Sequence, residues 1–182
     1  FLLSKSVKAV VIACNTSSAV AGDFLKKKYA SLPVFEVVTP ASEYVSGKYK
    51  RVGVIGTNAT IGSRAYDKKI LKKNLKTKVF SEACPLFVPF IEEGEVESKA
   101  LEIIADNYLG KLKNKKLEAL ILGCTHYPII ENVITSKMGV KVHLVNPGRL
   151  VSGNIANYLA KKNLLNSKKE KGKLTLYVTD LT

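Results

Sequence analysis

The sequence predicts an α/β fold, organised as two similar α/β domains with mainly parallel sheets. Three observations carry this. Short β-branched apolar runs recur along the 182 residues, helical patterns lie between them, and two of the runs end alike, on a cysteine followed by polar residues. The runs are continuous rather than alternating, the pattern of strands covered on both faces.

Taken in order, the first run spans residues 7–13 and delivers Cys14-Asn15-Thr16 at the start of a following helix. The second, residues 52–55, leads into Gly56-Thr57-Asn58-Ala59-Thr60-Ile61-Gly62-Ser63, and Ser63 opens a helix to about residue 75. Residues 99–112 place Leu101, Ile104, Tyr108, Leu109 and Leu112 on one helical stripe. The run 117–122 delivers Gly123-Cys124-Thr125-His126, followed by a helix over 128–138. Strand 140–145, helix 149–163 and strand 174–178 complete the pattern. Punctuation falls at Val38-Thr39-Pro40-Ala41 and at Val145-Asn146-Pro147-Gly148. It divides the chain into residues 39–146 as one domain and residues 1–38 plus 147–182 as the other. That division places Cys14 and Cys124 in different domains.

Bulk composition narrows the function classes. With 46% hydrophobic and 24% charged residues the chain has ordinary globular composition. No apolar run approaches the roughly 18 residues of a spanning helix, so no membrane role is expected. The net charge of +14 comes almost wholly from scattered lysines, with no aromatic residues interleaved. That reads as a solvated surface rather than a nucleic-acid interface. The three cysteines form no CxxC, so no metal site or disulfide framework is indicated, and a reducing cytoplasm is the simplest setting. The chain opens on Phe1 and ends in a strand pattern, as a fragment cut at both ends would.

The chemistry lies in the repeated cysteine. In a parallel α/β sheet, ligands bind beyond the carboxyl ends of the strands. A thiol there, before a helix N-terminus, is held toward thiolate, and the same terminus receives a carboxylate. Asn15, Thr16, Thr125 and His126 follow the two thiols and can hydrogen-bond a carboxylate or an amine. His126, two residues from Cys124, is placed to orient or protonate it. Either cysteine alone reads as a buried structural thiol, as Cys84 does in its apolar Ala83-Cys84-Pro85-Leu86 setting. The pair reads as chemistry. The Gly56–Gly62 turn lacks Walker spacing and reads as a carboxylate-binding turn, with Thr57 and Thr60 as donors. Glu92 and Glu93 read as a solvated helix start, unless one reaches the site as a proton carrier. A cysteine phosphatase would need Arg six residues past the nucleophile, where Val20 and Ile130 stand. Two thiols suit proton exchange on two faces of one carbon.

These residues resemble a known family. Cys14-Asn15-Thr16, Gly56-Thr57-Asn58-Ala59-Thr60, residues 87–94, Gly123-Cys124-Thr125-His126-Tyr127-Pro128 and Val178-Thr179-Asp180 are similar to the glutamate racemases, over essentially the whole chain. The resemblance implies cofactor-independent interconversion of L- and D-glutamate for peptidoglycan synthesis, at a site between two α/β domains, in a homodimer. It implies that Cys14 acts on D-glutamate and Cys124 on L-glutamate, with His126 assisting Cys124. It makes Glu92 the acidic site residue. Asn15, Thr16, Thr57, Thr60, Thr125 and His126 become substrate-binding positions.

Two departures accompany it. The Asp-Ser-Gly and Tyr-Gly motifs with which the family begins would precede Phe1, and the Asp assists the first thiol. Asn146 stands where the family often carries Asp. The alternatives are an aspartate or hydantoin racemase of the same superfamily, and a non-catalytic fragment that binds glutamate or nucleic acid.

Overall fold

In the computed structural model, which describes residues 1–167 and 172–179, six strands and eight α-helices alternate among the described residues. They are β1 (Val10–Ile12), α1 (Asn15–Lys28), β2 (Val34–Glu36), α2 (Val38–Ser46), β3 (Arg51–Gly56), α3 (Asn58–Ser63), α4 (Ala65–Lys73), β4 (Lys78–Ala83), α5 (Phe87–Glu92), α6 (Lys99–Lys113), β5 (Ala119–Gly123), α7 (Glu131–Met138), β6 (His143–Val145) and α8 (Pro147–Lys161). Short 3₁₀ turns occupy Leu2–Lys5 and Tyr127–Ile130. The α/β class with parallel sheets is as the sequence predicts.

All strand pairs are parallel. One sheet has the order β4-β3-β5-β6, and β1 and β2 form a separate pair. The central strands β3 and β5 explain the continuous apolar runs, because helices cover both faces. On one face Val52, Val54, Ala119 and Ile121 pack with Val38, Ala41 and Val45 of α2 and with Tyr66 and Ile70 of α4. On the other, Ile55, Leu120 and Leu122 pack with Leu101, Ala105, Leu109 and Leu112 of α6, and with Phe87 and Ile134. The stripe read on residues 99–112 is the core face of α6. Each buried Val, Leu, Ile or Phe side chain here contributes about 1.5–3 kcal/mol by leaving water.

The register sets the site end of this sheet. Gly56 of β3 stands opposite Gly123 of β5. A Cβ on Gly123 would lie 2.5 Å from the backbone oxygen of Ile55, so only glycine permits this approach. Cys124 follows at once and is held at the strand terminus.

Several expected elements differ. The 7–13 and 140–145 runs narrow to three-residue strands, and Val140 is left exposed after Gly139, whose φ is +88°. The helix expected from Ser63 begins earlier, at Asn58, and breaks at Arg64, whose φ is 55°, before α4 resumes. Residues 174–178 form no strand. Leu174, Leu176 and Val178 are exposed, and among the described residues no neighbouring strand offers them a ladder; Tyr177 instead meets Phe1 edge to face at 4.8 Å. Asp180, quoted in the family resemblance, lies outside the described residues.

Val38-Thr39-Pro40-Ala41 opens α2 rather than a loop. The buried Glu36 carboxylate accepts from the backbone N–H of Val38 at 2.6 Å and of Thr39 at 3.1 Å, satisfying donors that a helix start leaves free. Pro40 sits in the first turn, where its missing N–H costs nothing. Glu92 closes α5 rather than opening a helix. Strands β2 and β4 carry no strong sequence signal. One has three residues, and the other is a polar-interrupted edge strand.

Candidate active site

Both cysteines sit at carboxyl ends of strands, but the chain leaves the two strands differently. After β1, Cys14 is the N-cap of α1, and its sulfur accepts from the backbone N–H of Ser17 at 3.4 Å. The thiol is exposed. Partial burial pushes its pKa up, yet hydrogen bonds from Ser17 and Thr16 outweigh this and hold it below the ordinary thiol value. That is the helix-terminus environment that favours a thiolate.

After β5 no α-helix begins. Cys124-Thr125-His126 forms a bend, and His126 caps the 3₁₀ turn. The expectation that both thiols rest on α-helix N-termini therefore fails at Cys124. Its side chain is buried, which pushes its pKa above the ordinary value; the backbone bonds from His126 and Thr125 oppose this, and the charge of Cys14 adds to it. The two thiols are close enough to sense each other, and their environments push them in opposite directions.

A short polar chain leads outward from Cys124. Its sulfur lies 3.7 Å from Nδ1 of His126, and Nε2 of His126 lies 3.2 Å from Oε1 of Glu92. Glu92 thus faces one ring nitrogen of His126 and the Cys124 thiol the other. Thr125 Oγ1 also approaches Nδ1, at 3.4 Å. Glu92, Cys124, Thr125 and His126 are thus brought together from α5 and the β5 bend.

The other expected residues gather at the start of α1. Thr16 Oγ1 lies 2.9 Å from the hydroxyls of both Thr57 and Thr60, which are 3.1 Å apart. The three hydroxyls form a closed ring joining α1 to α3. Asn15 is buried, and its Oδ1 accepts from the hydroxyl of Tyr66 at 2.6 Å.

Of these groups, Asn15, Cys124 and Thr125 line a cavity of about 380 Å³, and the threonine ring, His126 and Glu92 do not. Asn15, Cys124, Thr125, Asn146 and Ser152 supply its polar lining, and Val11, Val37, Pro147, Val151 and Ile155 are among its apolar walls. Cys14 lies outside that lining and opens to solvent. Asn146 N-caps α8, its Oδ1 accepting from Gly148 N at 2.9 Å and Arg149 N at 3.3 Å. Among the described residues no group of three or more His, Cys, Asp or Glu side chains is placed to hold a metal. Cys84 is fully buried, which drives its pKa far up, as befits a structural thiol.

Sequence reasoning missed Tyr66 and Tyr127. The Tyr127 hydroxyl donates to the Cys84 carbonyl at 2.9 Å, which anchors the bend carrying His126. Both are aromatic residues on apolar faces, and pattern alone reads them as core.

Residues 2–150 match the model of the Asp/Glu/hydantoin racemase family. The chain belongs to this family. A glutamate racemase of Chlorobaculum tepidum is 39% identical over 182 residues, covering 99% of this chain and 67% of that protein. The crystal structure of a Francisella tularensis glutamate racemase in complex with D-glutamate superposes with a TM-score of 0.88 at 43% identity, covering 93% of this chain and 63% of that one. A Thermus thermophilus glutamate racemase in complex with β-chloro-D-alanine gives 0.82 at 40% identity, covering 92% and 61%. A Picrophilus torridus aspartate racemase, at 16% identity and a TM-score of 0.66, shares the fold; it covers 86% of this chain and 64% of that one. The chain thus spans about two thirds of the length of these relatives.

Proposed function

We propose that the protein is a glutamate racemase that exchanges the Cα proton between two cysteines. The pairing of a helix-capping thiol with a buried thiol beside an imidazole carries this reading, because the two environments favour opposite protonation states. Acid–base chemistry needs such a split. From D-glutamate, the Cys14 thiolate takes the Cα proton, forming S–H and a carbanion whose charge spreads into the adjacent carboxylate. The Cys124 thiol delivers its proton to the opposite face, forming the new C–H bond and leaving Cys124 as thiolate. L-glutamate reverses both transfers, with His126 having drawn the proton from Cys124. Both proton positions are supplied by the chain, so no step falls to a cofactor.

Asn15, Thr16, Thr125 and His126 then bind the substrate, with Thr57 and Thr60 holding a carboxylate after their hydroxyl ring opens. Glutamate is favoured over aspartate or hydantoin substrates by the identity to glutamate racemases, one of them solved with D-glutamate. The separation of the β1–β2 pair from the larger sheet supports a division into residues 1–38 with 147–182, and residues 39–146, with the site in the cleft between. The same reading makes the protein a cytoplasmic homodimer supplying D-glutamate for peptidoglycan. No helix of the described residues is long and apolar enough to cross a membrane. Several lysines are engaged by carboxylates, as Lys69 is by Asp23 and Lys137 by Asp106, which weakens the nucleic-acid alternative.

The test is circular dichroism of L-glutamate incubated with the full-length protein and with its Cys14→Ser and Cys124→Ser variants. Loss of the signal with wild type and its persistence with both variants is expected. A variant that racemises at the wild-type rate would overturn the two-thiol scheme.

A further inference from the structure

We propose that Tyr66 is a positioning residue that sets the amide of Asn15 and braces the two cysteine segments against each other; the proposal rests on the racemase reading. Tyr66 lies on α4 and is fully buried in the core face formed by Val52, Val54, Ala119 and Ile121. Its ring lies against the end of β5, where a Cβ on Gly123 would stand 3.4 Å from Cε2. Its hydroxyl reaches Oδ1 of Asn15 at 2.6 Å. One rigid side chain therefore touches the residue before Cys124 and the residue after Cys14.

The hydroxyl is the part that packing does not explain. A phenylalanine would fill the same apolar space, and burying a hydroxyl is unfavourable unless it is bonded. Here it has one use, which is Asn15. Burial drives the phenol pKa well above its ordinary value, with the Glu36 and Cys124 charges adding to this, so the group stays a neutral donor. Because it donates, Asn15 must present Oδ1 to it and direct Nδ2 the other way. Asn15 also lines the cavity that holds Cys124 and Thr125. Tyr66 thereby turns an amide that could face either way into one that offers N–H to the cavity, the polarity a glutamate carboxylate requires. Without the hydroxyl the amide is free to flip and offer lone pairs instead.

The experiment measures kcat and KM of the full-length protein for both glutamate enantiomers in four forms: wild type, Tyr66→Phe, Asn15→Ala and the double variant. Tyr66→Phe is expected to raise KM roughly fivefold to tenfold, the scale of one hydrogen bond, with kcat changed less. In the Asn15→Ala background the same change is expected to move KM less than about twofold, the non-additivity of two residues acting as one. Asn15→Asp retains an acceptor for Tyr66 and presents a second carboxylate oxygen to the cavity, so its KM should rise more than that of Tyr66→Phe. An unchanged KM in Tyr66→Phe overturns the proposal, as does a rise of equal size in both backgrounds. If Tyr66→Phe does not fold, Asn15→Asp decides, and a wild-type KM there overturns the proposal. A wild-type protein that fails to racemise glutamate removes the underlying reading itself, an outcome distinct from an active wild type with an indifferent Tyr66→Phe.

Discussion

Replacing His126 with glutamine separates the two parts of the chain from Cys124 to Glu92. The imidazole Nδ1, 3.7 Å from the Cys124 sulfur, accepts the thiol proton in the proposed scheme. A positioned general base contributes about 100- to 10,000-fold to rate, so His126→Gln should lower kcat/KM by a factor in that range. In the same scheme Glu92 acts through the imidazole. Its contact with Nε2 is 3.2 Å long, but the side chains are 32% and 62% exposed, and water screens such a pair to about 0–1 kcal/mol. Glu92→Gln should therefore cost at most about fivefold. Enantiomers have equal free energy, so the equilibrium constant is one and kcat/KM must fall equally in both directions. Polarimetric rates from pure L- and pure D-glutamate check both claims. A Glu92→Gln loss as large as that of His126→Gln would refute the ranking, and a His126→Gln variant within tenfold of wild type would refute the proton-accepting role.

Limited alkylation with iodoacetamide, followed by peptide mass spectrometry, should label Cys14 before Cys124; the rate–pH inflection of Cys14 should fall below the ordinary thiol range and that of Cys124 above it. For Glu36, burial raises the pKa but the bonds from Thr39 and Lys26 prevail and lower it. Its stabilisation is therefore full above the unfolded value of about 4.3 and is lost as pH falls through the folded value. Glu36→Gln should flatten the acid limb of a urea-midpoint profile, and an unchanged slope there would count against the α2 cap. Gly123→Ala would force a Cβ to 2.5 Å from a backbone oxygen. It should destabilise by about 1–3 kcal/mol in denaturant titration, with activity reduced because Cys124 is the next residue.

The parts legible in the sequence were those carried by local pattern. Continuous apolar runs reported β3 and β5 because burial on both faces is written residue by residue. The repeated cysteine pointed to the candidate site because a strand terminus places the next side chain predictably. The bend after Cys124 was not legible: Thr125-His126-Tyr127-Pro128 continues as either an α-helix or a 3₁₀ turn by composition, and the Tyr127 bond to the Cys84 carbonyl, 43 residues away, accompanies the turn. The Asn15–Tyr66 and Thr16–Thr57 contacts likewise join residues 51 and 41 apart. The 174–178 run shows the converse error, since a strand-like composition yields no strand where no neighbour pairs with it.

The different exits from β1 and β5 have a kinetic consequence within the two-thiol scheme. D-glutamate requires the form with Cys14 as thiolate and Cys124 as thiol; L-glutamate requires the reverse. The helix cap at Cys14 and the burial of Cys124 both favour the first form in the free protein. An equilibrium constant of one forbids this bias from making the enzyme one-way. The D-reactive form must be abundant and slower per encounter, and the L-reactive form scarce and faster. The return between the two forms then requires a proton to leave one thiol and another to reach the other. Cys14 exchanges directly with solvent because it is exposed, whereas Cys124 is buried and has His126 beside it. Within the scheme the imidazole thus serves twice, taking the Cys124 proton before that thiolate acts on L-glutamate and carrying protons to and from the buried thiol as the two forms interconvert.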